Sequence, residues 1–184
     1  MKTIFRAPLR LAAGLAPVLL AAPAIAAAPA GNGGIIPLPL EPVVPAAQRA
    51  CTQKTASGLG YTELKAGEGA KPGAQDYVLV NYIGYLAADG KAFDQDQRSA
   101  FPVAGVVKGF GEGVQLMNTG SIYRFCVPAA LGYGEKAAGP IPANANLVFQ
   151  VELLDFKTAA EVEKMRKQQA AEEAKSGANE PQQK

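Results

Sequence analysis

The chain of 184 residues contains no histidine and only two cysteines, Cys51 and Cys126. That composition removes Ser-His-Asp and Cys-His catalysis and any imidazole-ligated metal. Two cysteines far apart in sequence do not make a zinc cluster. The groups left to do chemistry are carboxylates, tyrosine hydroxyls, backbone amides and the shape of an apolar surface. The run GFGEGV from Gly109 to Val114 looks at first like a phosphate-binding loop. It lacks the Gly-Lys-Ser/Thr ending and the parallel-sheet setting, so it reads as a tight turn into a helix. Strand alternation sets Cys126 on the face opposite Phe125 and Val127, within reach of an N-terminal strand carrying Cys51. A disulfide in an oxidising compartment and two unpaired thiols both remain open.

The elements that must position such groups follow from periodicity. In Leu147 to Leu154 the odd positions Leu147, Phe149, Val151 and Leu153 are apolar, while Gln150 and Glu152 face the other way. Ile122 to Val127 sets Tyr123, Phe125 and Val127 on one face. Tyr77 to Leu86 is a third strand, ended by a turn at Asp89-Gly90. After the glycines that open Gly109 to Met117, Phe110, Val114 and Met117 fall at helical spacing and predict one short helix. Several strands with one helix laid across them are an antiparallel α+β arrangement.

Composition and the ends of the chain bound the rest. A hydrophobic content of 48% and a charged content of 18% describe a globular protein. A net charge of +2, with no run of Lys and Arg, gives no nucleic-acid surface. Lys2, Arg6 and Arg10, the apolar stretch Leu11 to Ala22 and the triplet Ala24-Ile25-Ala26 predict a signal peptide over 1–26. Pro17 and Pro23 interrupt that stretch, which is shorter than the roughly 20 residues of a spanning helix, so stable membrane insertion is not expected. Residues 27–56 read as a Pro/Gly-rich linker, with Gly31 to Gly34 flexible and Pro37, Pro39, Pro42 and Pro45 favouring an extended path. The domain itself runs over 57–157. Thr158 and Glu161 form a capping box that opens a charged helix over 158–175, and 176–184 reads as a disordered tail.

Three segments carry a resemblance that periodicity does not supply. They are VNYIGYLAADGKAFD from Val80 to Asp94, FPVAGVVKGFGEGVQLM from Phe101 to Met117, and LGYGEKAAGPIPANANLVFQVELLDF from Leu131 to Phe156. In order and spacing they resemble the FKBP-type peptidyl-prolyl cis-trans isomerases. The resemblance implies an FKBP-like twisted antiparallel β-sheet wrapped on one short α-helix, and a rotamase that assists protein folding. It implies an apolar pocket of Phe93, Phe101, Val106, Val107, Phe110, Ile141 and Phe149, with Asp94, Tyr133 and Tyr82 as the catalytic groups. Tyr133 would donate to the substrate carbonyl, the Val107 N–H to a neighbouring one, and Asp94 would bond Tyr82 and orient the rotating carbonyl. The implied partners are proline-containing polypeptide segments and macrolide inhibitors, with no cofactor and no metal. The signal peptide read above adds that the mature protein is exported, most simply to a bacterial periplasm, where it would act on exported proteins. The alternative is a non-catalytic FKBP-like peptide-binding or chaperone module of the cell envelope.

Some positions depart from the family pattern. Phe110 stands where many members have tryptophan, Pro140 where isoleucine or valine is common, and Ala143 where proline is usual. Arg98 stands where a basic residue often pairs with the pocket aspartate. The flap over the site is Glu135 to Pro142.

Overall fold

A computed structural model describes residues 34–38 and 43–177, with backbone alone at 176 and 177. The chain divides between Ala30 and Gly31, and all described residues belong to the second unit. The expected signal peptide lies outside the described residues, as do residues 178–184 of the expected tail.

Six strands form one antiparallel sheet: β1 Gln53–Lys54, β2 Gly60–Lys65, β3 Tyr77–Leu86, β4 Ala92–Pro102, β5 Ile122–Val127 and β6 Leu147–Lys157. Their order across the sheet is β1-β2-β5-β6-β3-β4. The central pair β3 and β6 runs in register from Tyr77 opposite Lys157 to Leu86 opposite Leu147, with one bulge between Leu79 and Val80. Gly90, at φ 78°, closes the β3–β4 turn by donating to the Leu86 carbonyl at 2.8 Å. Positive φ is why glycine is used there.

Helix α1, Lys108–Leu116, lies on one face of this sheet. The run GFGEGV is therefore helix, and not a turn leading into it. Each glycine in a helix interior costs about 1 kcal/mol against alanine, so packing must hold this one. The reason is close approach: a Cβ at Gly109 would sit 2.6 Å from a Val127 methyl, and one at Gly113 would sit 2.8 Å from the Phe125 ring. Between helix and sheet lies the main core, with Val80, Phe110, Val114, Met117, Phe125, Val151 and Leu153 buried.

The opposite face is also covered. Ile83, Tyr85 and Val148 are fully buried there, together with Ile36 and Val44 from the Pro/Gly-rich stretch. That stretch, expected to be a spacer, is anchored to the sheet at Ile36, Val44 and Cys51. The Val44 N–H donates to the Gly90 carbonyl at 2.8 Å. Cys51 and Cys126 are joined by a disulfide with Cα atoms 6.1 Å apart. Gly60 passes beneath the bridge, where a Cβ would come within 3.0 Å of Cys126 Cβ.

After β6 the chain enters α2, Ala159–Gly177. Its capping box is formed, with Thr158 N–H donating to Glu161 at 2.8 Å and Glu161 N–H donating back to Thr158 Oγ1 at 3.2 Å. The bond from the Thr158 hydroxyl holds the Glu161 carboxyl below its usual range. No described helix is long and apolar enough to cross a membrane.

Candidate active site

The loops and strand ends around α1 enclose a cavity of about 370 Å³ lined by Tyr82, Asp94, Phe101, Gly105, Val106, Val107, Phe110, Tyr133 and Phe149. Tyr82 comes from β3, where residues of even number from Val78 to Tyr82 point to the helix side. Asp94 and Phe101 come from β4, and Phe149 comes from β6. Val106 and Val107 end the 3-10 turn Val103–Gly105 and lead into α1. A larger depression of about 480 Å³ lies against the disulfide, lined by Thr52, Gln53, Lys54 and Asn146 among others. No aromatic rings converge there, so the smaller cavity is the candidate site.

Phe110 is the floor. Its ring makes edge contacts with Tyr82 at 6.2 Å, Phe101 at 6.2 Å, Phe149 at 5.2 Å and Phe125 at 6.4 Å between centroids. Such near-perpendicular arrangements suit the ring quadrupoles and fix each ring against its neighbours. Phe93 stands one ring further out, on edge to Phe149 at 5.6 Å, and does not line the cavity. Ile141 is buried at 5% exposure and packs into the main core beside the site, also without lining the cavity.

The polar groups sit at the mouth. The Tyr82 hydroxyl donates to Asp94 Oδ2 at 2.6 Å. Burial, reinforced by that bond and by the Asp94 charge, pushes the Tyr82 hydroxyl well above the ordinary tyrosine range. It therefore stays a donor at any physiological pH, and the second lone pairs of Asp94 remain available. Asp94 itself is exposed, so its carboxylate meets water as well as the cavity. Tyr133 is 42% exposed, and its hydroxyl bonds no other described residue. Val107 precedes the first turn of α1, so the helix does not use its N–H. Two donors and one carboxylate thus face a cavity that is otherwise apolar.

Arg98 does not pair with Asp94. Its backbone N–H donates to Asn81 Oδ1 at 2.9 Å, and it takes a positive φ of 55° at the bulge of β4. Over the site, the flap is a small hairpin in which Ala138 and Ile141 exchange backbone bonds at 2.9 and 3.0 Å. Gly139 has φ 55°, and Pro140 follows with its ring-fixed φ, the order a two-residue primed turn requires. The proline that departs from the family pattern is thereby accounted for.

Two glycines that shape the site were not among the expected residues. Gly105 lines the cavity. At Gly84 a Cβ would lie 2.6 Å from the Phe93 ring and 2.8 Å from the Phe149 ring. The signal available was a lone glycine inside the apolar run of β3, which marks close approach of another group.

Comparison with known proteins shows which family the chain resembles. Residues 68–154 match the family described as FKBP-type peptidyl-prolyl cis-trans isomerase. FkpA of Aeromonas hydrophila, an FKBP-type peptidyl-prolyl cis-trans isomerase, is 48% identical over 118 residues, covering 62% of this chain and 44% of that protein. The crystal structure of FkpA from Escherichia coli is similar with a TM-score of 0.56 and 38% identity, over 58% of this chain and 52% of the other. A peptidyl-prolyl isomerase structure from Pseudomonas syringae pv. tomato gives a TM-score of 0.55 and 38% identity, over 58% of this chain and 80% of the other. The chain spans about half the length of the curated relatives it matches.

Proposed function

This chain belongs to the FKBP-type peptidyl-prolyl cis-trans isomerase family, and from that premise we propose that it catalyses rotation about Xaa-Pro bonds in polypeptides outside the cytoplasm. The observation that carries the reading is the Tyr82–Asp94 hydrogen bond of 2.6 Å at the mouth of an aromatic cavity.

The barrier to prolyl rotation is about 18–20 kcal/mol and comes from amide resonance. In the transition state the amide is twisted, conjugation is broken, and no bond to carbon is cleaved. The chemistry therefore needs only an environment that fits the twisted form better than the planar one. The proline ring would rest on Phe110, walled by Tyr82, Phe101 and Phe149. Leaving water for that apolar floor disfavours the polar planar amide. The Tyr133 hydroxyl and the Val107 N–H would hold carbonyls on either side of the bond, fixing the flanking chain while the bond turns. Asp94, held by Tyr82, would face the carbonyl being rotated and favour its displaced position. Each 1.4 kcal/mol of such preference gives about tenfold in rate. The same cavity would accept macrolide inhibitors, on a floor smaller than tryptophan provides.

Export rests on two further features. Lys2 to Ala26 has the basic, apolar and small-residue order of a secretory signal. The Cys51–Cys126 disulfide suits an oxidising compartment such as a periplasm.

The test is the cis-to-trans rate of a short Xaa-Pro peptide with wild type and with Asp94→Ala. We expect acceleration by wild type and a loss of about tenfold in kcat/KM for the variant, the size of one lost charged interaction. A folded wild-type protein that accelerates no Xaa-Pro peptide would instead leave a non-catalytic peptide-binding module.

A further inference from the structure

Residues 34–38 lie across the sheet face remote from the prolyl cavity, and the way they are held is unusual. Gln150, only 6% exposed, receives the Ile36 N–H on Oε1 at 2.7 Å and donates from Nε2 to the Ile36 carbonyl at 2.8 Å. One side-chain amide thus reads both main-chain groups of one residue, as a neighbouring strand would. Arg124, 5% exposed, donates to the carbonyls of Gly34 at 2.9 Å and Ala50 at 3.2 Å. The only side chain of 34–38 that is fully buried is Ile36, which fills the apolar cluster of Ile83, Tyr85 and Val148. Leu38 packs against the same cluster while partly exposed, so recognition is of main chain plus one buried aliphatic residue with a second beside it.

Two features indicate that residues 34–38 do not fully match this site. The Arg124 guanidinium is buried beside the Tyr85 hydroxyl, has no carboxylate partner among the described residues, and its Nε–H has no acceptor among them. A buried donor left unpaired is costly, so a ligand offering another carbonyl would fit better. Beside Ile35 and Leu38 there is also an open cavity of about 270 Å³, lined by Asn81, Gln97, Ile122 and Glu152. Polar groups along that wall continue the line set by Gln150.

We propose that this face is a second, non-catalytic peptide-binding groove for extended segments of other, non-native polypeptides carrying an aliphatic residue, and that residues 34–38 occupy it in cis as a displaceable plug. Release would not require the rest of the N-terminal stretch to leave. Val44 stays buried with its bond to Gly90, and Cys51 stays bridged to Cys126. The tethered plug competes at high effective concentration, so only chains with a better backbone and side-chain match, or present at high local concentration, displace it. The reading is independent of prolyl catalysis, because the Ile36 and Gln150 side chains lie on the sheet face opposite the aromatic cavity and line none of it.

The test uses the full chain and a fluorescent decapeptide, Gly-Asn-Gly-Gly-Ile-Ile-Ala-Leu-Ala-Leu, with alanine in both proline positions so that it cannot enter the prolyl cavity. Anisotropy gives affinity, and amide shifts of isotope-labelled protein give the location. Ile36→Asp, which expels the plug, should bind the probe at least tenfold more tightly than wild type, with shifts at Val148 and Gln150. Adding Gln150→Leu should abolish that gain. Ile36→Ala serves as a milder variant should the aspartate prevent folding, with near-ultraviolet dichroism as the check. Folded Ile36 variants that gain no affinity, or shifts confined to Tyr82 and Phe110, would overturn the groove. A wild-type dimer in which residues 34–38 are exchanged between copies would overturn the choice of occupant.

Discussion

The two faces of the sheet are built from the same strands and solve opposite problems. On the helix side, ring edges and faces from β3, β4, β6 and α1 meet around Phe110, and the polar groups at the rim are left with spare capacity. On the far side, Gln150, Arg124 and the Tyr85 hydroxyl are turned to main-chain atoms of the N-terminal stretch, the last donating to the Gln48 carbonyl at 2.7 Å. One face presents unspent hydrogen-bonding groups over a dry floor, which is what a site for chemistry needs. The other engages its polar groups, the Arg124 Nε–H excepted, in holding chain, which is what a docking surface needs. The lesson is that burial alone does not separate the two; the state of the polar groups does.

The largest way to disturb that contrast is to release the far face. Reducing the disulfide, or replacing Cys51 and Cys126 with alanine, opens a loop spanning 75 residues. On the chain-entropy model this should cost about 4 kcal/mol of stability, read as the denaturant midpoint. Prolyl isomerase activity measured well below the new transition should persist, since no residue of the cavity touches the bridge.

A smaller effect is expected at the partition between the faces. Gly84→Ala drives a methyl into the Phe93 and Phe149 rings and should cost about 2 kcal/mol by overpacking. It should also raise KM for a proline peptide, because Phe149 walls the cavity. A stability loss with unchanged KM would mean that these rings do not shape the substrate site.

How much of this was legible beforehand differs by face. Strands β3 and β5 were readable to their ends, and α1 to within a residue, because β5 and α1 each repeat apolar residues with one period and a turn at Asp89-Gly90 follows the apolar run of β3. The cavity residues Tyr82, Phe101, Phe110 and Phe149 lie together because those elements deliver them. The role assigned to Arg98 was not delivered. Register in β4 shifts between Val80 and Tyr82 of its partner, and the bulge turns Arg98 into a positive-φ residue bonded through its backbone. The far face was harder to read. Ile36 and Val44 sit in the short pairs Ile35-Ile36 and Val43-Val44 among prolines and glycines, so they carry no periodicity. Their counterpart signal was present in β3 and β6, where Ile83, Tyr85 and Val148 interrupt the polar phase of the alternation. A strand apolar on both faces has something to cover the second one.

The smallest expected effect is the response to alkali. Burial lifts the hydroxyls of Tyr85 and Tyr123 to about 12, and that of Tyr82 higher still. Raised folded-state values favour the protonated form, so this contribution is fully present below the unfolded tyrosine value of about 10 and is lost as pH rises toward the folded values. Melting temperature should therefore be flat from pH 7 to 9 and decline above about 10. Tyr123→Phe, which removes the bond to Glu63 at 2.9 Å, should make that decline shallower.

The account's central claim is that catalysis belongs to the helix-side cavity and not to the far face. It is tested most directly by measuring kcat/KM on one Xaa-Pro peptide for wild type, Tyr133→Phe and Ile36→Asp side by side. We predict a loss of roughly tenfold for Tyr133→Phe, the scale of one hydrogen bond in the transition state, and an unchanged value for Ile36→Asp. An unchanged Tyr133→Phe, or a folded Ile36→Asp that loses activity, would contradict it.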